Sequence, residues 1–136
     1  GETRVVPSYA GVAEVADPCM TVAATYTPIS ITSATTTRII APAASKKTYI
    51  CHIFMVSAIA NNIGIVEGTG GTCGAATAGV VGGTTAANGV NLSANSGFSV
   101  GGGRYAEWAT AGTNVDFCLI TSAAGPLAGH VKWVQQ

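Results

Sequence analysis

Thr48-Tyr-Ile-Cys-His-Ile-Phe-Met-Val-Ser-Ala-Ile59 is the stretch that decides the fold. It contains no glycine or proline, and β-branched and aromatic residues fill most of it, the composition of a strand. Side chains alternate across a strand, so Ile50, His52, Phe54 and Val56 share one face, and Tyr49, Cys51, Ile53 and Met55 share the other. Both faces are largely apolar, and both are therefore expected to be covered. Asn61-Asn62 supplies a turn into Ile63-Gly-Ile-Val-Glu67, so Thr48 to Glu67 is expected to form a β-hairpin.

Outward from this segment the strand signals continue. Short strands are expected at Met20–Thr25, Thr35–Ile40, Ala106–Thr110, Asn114–Thr121 and Gly129–Val134, separated by Pro, Gly, Asn and Asp. Helix signals are nearly absent: leucine occurs only at Leu92, Leu119 and Leu127, and no long segment repeats apolar residues at helical spacing. Gly68 to Gly103 carries no charged residue and holds 12 of the 18 glycines, yet Val80, Val81, Val90, Leu92, Phe98 and Val100 anchor it as a packed connection with short strands. At 136 residues the chain is read as one domain over residues 1–136, an all-β, antiparallel β-sandwich of jelly-roll type, with residues 1–8 an N-terminal arm.

Composition narrows the function. Six basic and six acidic residues cancel, and only 9% of the chain is charged against about 25% in an ordinary soluble domain. Such a chain has no field to draw in nucleic acid, and its neutral surface favours association. No apolar stretch is long enough to cross a membrane as a helix, and the first seven residues lack the pattern of a secretory signal.

Catalytic constellations fail one by one. Gly68-Thr-Gly-Gly-Thr-Cys-Gly74 imitates a phosphate loop, but no Lys-Ser or Lys-Thr follows it, so it reads as a turn. His52 or His130 with Asp17 or Asp116 lacks a nucleophile motif, and the carboxylates Glu67, Glu107 and Asp116 lack sugar-stacking aromatics. No catalytic, cofactor or metal site is expected: Cys19, Cys51, Cys73 and Cys118 form no C-x-x-C pair and the histidines have no zinc-finger spacing. Isolated packed thiols are the default, with a Cys73–Cys118 bridge as the pairing considered. Four cysteines allow three complete connectivities, among which the sequence does not choose.

What remains is protein binding. Arg4-Val5-Val6 ahead of Pro7, together with Thr3, reads as an arm or edge strand. Arg38, Lys46 and Lys47 bracket Pro42 as a small basic patch, and Trp133 is the expected exposed aromatic anchor.

Four stretches carry a resemblance: Lys47-Thr-Tyr-Ile-Cys-His-Ile-Phe54, Val66-Glu-Gly-Thr-Gly-Gly-Thr-Cys73, Phe117-Cys-Leu-Ile-Thr-Ser122 and Ala128-Gly-His-Val-Lys-Trp-Val134. Over Lys46 to Val134 the chain resembles the capsid cement, or decoration, proteins of tailed bacteriophages, most sharply at Glu67-Gly-Thr-Gly with Cys73 following. That resemblance implies a jelly-roll domain on the outer surface of the virion, seated as a homodimer or higher assembly on an HK97-type shell of major capsid protein. No cofactor, nucleic acid or membrane enters that role. The alternative expectation is a carbohydrate- or receptor-binding module of the phage tail, since jelly rolls also serve as lectins.

Overall fold

The computed structural model describes residues 16–136, so the arm residues Thr3, Arg4, Val5 and Val6 lie outside the described part. The chain folds into two antiparallel five-stranded sheets packed face to face. A single helical turn, α1 (Pro18–Thr21), precedes β1 (Thr25–Ile31), β2 (Thr36–Ile40), β3 (Thr48–Ser57), β4 (Asn61–Thr69) and β5 (Ala75–Val81). After a 3-10 turn at Ala86–Asn88 come β6 (Val90–Leu92), β7 (Ser96–Val100), β8 (Trp108–Ala109), β9 (Asp116–Thr121) and β10 (Leu127–Gln135). The first sheet has the order β1-β10-β3-β7, with β8 also on β3; the second has β2-β9-β4-β5, with β6 also on β4. The all-β sandwich expected from the sequence is the fold observed.

Two expectations about the strands need correction. The segment 48–67 is not a hairpin, because β3 and β4 lie in opposite sheets and Ala58–Ala60 carries the chain across. A hairpin would place both strands side by side in one sheet. Instead each becomes central, β3 between β10 and β7 and β4 between β9 and β5, which buries far more of their apolar side chains. Asn61 is no turn residue but the anchor of the β9–β10 connection: its Oδ1 accepts from the backbone N–H of Ser122 (3.0 Å) and of Ala123 (3.1 Å). The expected strand at Met20–Thr25 is likewise replaced, by the α1 turn, whose N-cap Asp17 accepts from Cys19 N–H at 2.9 Å and whose Pro18 suits the first turn.

The core lies between the sheets. Ile29, Ile31, Ile53, Met55, Leu127 and Val131 from the first sheet meet Ile40, Ile63, Ile65, Phe117 and Leu119 from the second, with Leu92 closing one side. Fully burying each of these side chains contributes about 1.5–3 kcal/mol. A Cβ on Gly97 or Gly129 would collide with the β3 backbone around Phe54 to Val56, so these two glycines let both neighbours close tightly on β3.

The cysteines form bridges, which corrects the expectation of isolated thiols. Cys73 pairs with Cys118, the pairing considered from the sequence, and Cys19 pairs with Cys51, with Cα–Cα distances of 6.4 and 5.8 Å. The second bridge was hidden by a β-bulge: the β3–β10 register runs from His52 opposite Lys132 directly to Ile50 opposite Trp133. Cys51 is the extra residue, and the bulge places it against α1.

By loop closure over separations of 45 and 32 residues, replacing Cys73 and Cys118 by alanine should cost about 4 kcal/mol, and replacing Cys19 and Cys51 slightly less. Urea unfolding of the two double variants measures this. Thiol titration of the denatured, unreduced protein should find no free cysteine; four reactive thiols would contradict the pairing.

Candidate functional site: the outer face of the first sheet

Each sheet has an outer face, and the two are treated differently. On the second sheet, Val66, Cys118 and Ile120 point outward, and the β4–β5 turn folds back over them, with Cys73 fastening it to Cys118. Val66 and Cys118 are consequently fully buried. On the first sheet the described residues cover the outer face at one end, where α1 and the 101–107 loop pack over the Cys19–Cys51 bridge, Tyr49 and Val134.

Beyond that end the face is open among the described residues. The register sets three rows across it: Tyr26, Lys132 and His52; then Pro28, His130, Phe54 and Ser99; then Ser30, Ala128, Val56 and Gly97. Aromatic rings run along the first two rows. His130 meets Phe54 edge-on at 4.5 Å between centroids, Tyr26 at 5.9 Å and His52 at 5.3 Å. Lys132 Nζ lies 5.8 Å from the centre of the Tyr26 ring, and His52 Nε2 is 3.3 Å from Ser99 Oγ. An open depression of about 570 Å³ is lined by His52, Phe54, Val56, Gly97, Ser99 and His130.

The exposed large apolar side chains gather on this side. They are Met20 (50% exposed), Tyr26 (62%), Val56 (47%) and Tyr105 (53%), from α1, β1, β3 and the 101–107 loop. Scattered exposed apolar residues need no explanation, but several on one side of an otherwise packed domain make that side the candidate contact surface.

The candidate catalytic groups are occupied elsewhere. Glu67 is buried at the open end of the sandwich, where its two carboxylate oxygens accept from the N–H groups of Ala111 (2.8 Å) and Gly112 (3.0 Å). Asp116 is buried on the opposite face of the second sheet, accepting from Gly71 and Cys73 N–H at 3.0 and 3.3 Å. The glycine-rich loop that imitates a phosphate cradle thus directs its amides at the chain's own carboxylate. Asp17 accepts from Ala106 N–H on both oxygens, at 3.0 and 3.1 Å. Each of these carboxylates fastens a loop; Glu67 and Asp116 belong to the second sheet, away from the histidine pair, and Asp17 is taken up by the α1 cap and Ala106. Among the described residues no three His, Cys, Asp or Glu side chains converge as a metal site, and no helix is long and apolar enough to cross a membrane.

The residues singled out for binding do not form one surface. Arg38 sits on β2 with a guanidinium nitrogen 3.6 Å from Asp116 Oδ1, the one ion pair among the described residues. Lys46 and Lys47 lie in the β2–β3 loop, where Lys47 exchanges backbone hydrogen bonds with Gln136. Trp133 is half-buried against the core, its indole N–H donating to Thr27 Oγ1 at 2.9 Å, which makes it a packing residue rather than an exposed anchor. Tyr26, Phe54, Val56 and His130 are not among the contact residues expected from the sequence, where His130 is weighed only as a catalytic base. The alternation His52, Phe54, Val56 carries a signal for three of the face's members, and the expected cover over that side of β3 is missing among the described residues.

Comparison with protein-family models, curated proteins and solved structures finds no significant match for this chain.

The contrast between face and clamps is measurable. Tyr26→Ser and Val56→Ser should leave the unfolding free energy within about 0.5 kcal/mol, while lowering binding of a dye that reports exposed apolar surface. Glu67→Gln, which presents an amide where two backbone N–H groups need acceptors, should cost about 1–3 kcal/mol. Denaturant unfolding and dye fluorescence on the three variants separate the two roles.

Proposed function

We propose that this chain is a non-catalytic assembly protein, a capsid decoration protein of a tailed bacteriophage that sits outside an HK97-type shell and bridges its subunits. The observation that carries this reading is the half-covered aromatic face of the first sheet. A sandwich with a filled core, two bridges and Asp17, Glu67 and Asp116 committed to loops leaves that face, among the described residues, as the surface with exposed apolar area. The strand orders β1-β10-β3-β7 and β2-β9-β4-β5 support the jelly-roll reading, since successive early strands alternate between sheets and the last two return to lie beside the first two. Low charge and zero net charge suit a protein that works packed against others. Many modest contacts repeated over a shell would hold it firmly, and a homodimer would double the contacts of each unit.

The lectin-like reading has one observation in its favour, the ring-lined depression around Phe54 and His130, because sugar rings stack on aromatic faces. It predicts few copies on the tail and glycan-dependent binding.

Depleting the protein from purified phage heads should lower the temperature at which they release DNA. Adding back wild-type protein should restore it, whereas Val56→Asp protein, folded but with a charge on the face, should not. Heads equally resistant with and without the protein would contradict decoration.

A further inference from the structure

Beside the aromatic face, the Gly101–Arg104 loop, α1 and β10 enclose a notch of about 390 Å³ lined by Cys19, Met20, Gly102, Gly103, Arg104 and Lys132. Two of the chain's six cations meet there. Lys132 Nζ is held in place by the Gly103 carbonyl at 2.6 Å and lies against Tyr26; the Arg104 guanidinium lies 5.5 Å from the centre of the Tyr105 ring. Stacking on tyrosine positions each cation and leaves N–H groups to donate.

Neither cation has a carboxylate partner among the described residues, where the one ion pair is Arg38 with Asp116. The acidic groups on adjoining elements do not serve. Asp17 at the start of α1 is committed to the Ala106 and Cys19 amides, and Glu107 is exposed without an ion pair. In a chain so poor in charge, two cations lining one recess beside exposed Met20, with no carboxylate paired to either among the described residues, form a receptor for a negative group. The recess takes a side chain rather than a helix or strand, and it adjoins the proposed contact face.

We propose that this notch binds a carboxylate side chain, an Asp or Glu of the protein on which the chain is seated. Arg104 and Lys132 donate to the carboxylate oxygens, and Met20 packs on its stem. The identity of the partner rests on the decoration reading, while the carboxylate chemistry does not.

The site is tested on the isolated protein by NMR titration with a capped Gly-Glu-Gly peptide, with Gly-Gln-Gly as control. The expected result is glutamate-selective shifts at Met20, Gly102, Gly103 and Arg104, weakened roughly tenfold by Arg104→Gln, which leaves the fold's packing untouched. Equal response to both peptides, or none, overturns the site. On purified heads a carbodiimide, which condenses an amine with a touching carboxylate, should join Lys132 to an Asp or Glu of the shell protein. Bound protein whose Lys132 links only within its own chain or to a second copy overturns the partner assignment. Absence of the protein from heads defeats the decoration reading alone, and the peptide titration then decides the site.

Discussion

Everything in this fold follows from two consecutive strands that are apolar on both sides. β3 and β4 each need cover above and below, and the molecule meets that need by giving them to opposite sheets and making each central. Their inner faces form the core directly. Their outer faces require separate cover, and the chain supplies it unequally. On β4 the outer face is closed by a glycine-rich turn drawn down by the Cys73–Cys118 bridge and by Asp116, which collects the turn's amides. On β3 the α1 segment, riveted by Cys19–Cys51, covers only the end near Tyr49. The remainder, around Phe54 and Val56, is left to solvent among the described residues.

The same economy explains the carboxylates. In a chain with six acidic residues, Asp17, Glu67 and Asp116 each use their side-chain oxygens to collect backbone N–H groups from irregular loops. Buried amides without partners are costly, and irregular loops have many of them. These carboxylates hold loops, and among the described residues Arg104 and Lys132 stand without a carboxylate partner at the edge of the open face.

Period-two alternation made the strands legible from sequence, and β2, β9 and β10 fall where Val, Ile, Thr and aromatic runs indicated. Alternation does not say which strand pairs with which. The Asn61-Asn62 pair resembles a hairpin turn locally, and its true partners, Ser122 and Ala123, are about sixty residues away. The Cys19–Cys51 bridge depends on a bulge that leaves no mark in composition. For the site, long-range register was again the missing information: Tyr26, Phe54 and His130 are scattered along the chain and become neighbours only through the β1-β10-β3 pairing. Trp133 drew notice as a large aromatic near the C-terminus, but its position opposite Ile50 and its bond to Thr27 assign it to packing.

The central claim, that the open face of the first sheet is an assembly surface, is tested most directly by hydroxyl-radical footprinting of the protein free in solution and in intact particles. The account predicts that oxidation of Tyr26 and Phe54 falls sharply in the particle, while residues on the far sheet such as Ile39 react as before. Equal oxidation of Tyr26 and Phe54 in both states would contradict it.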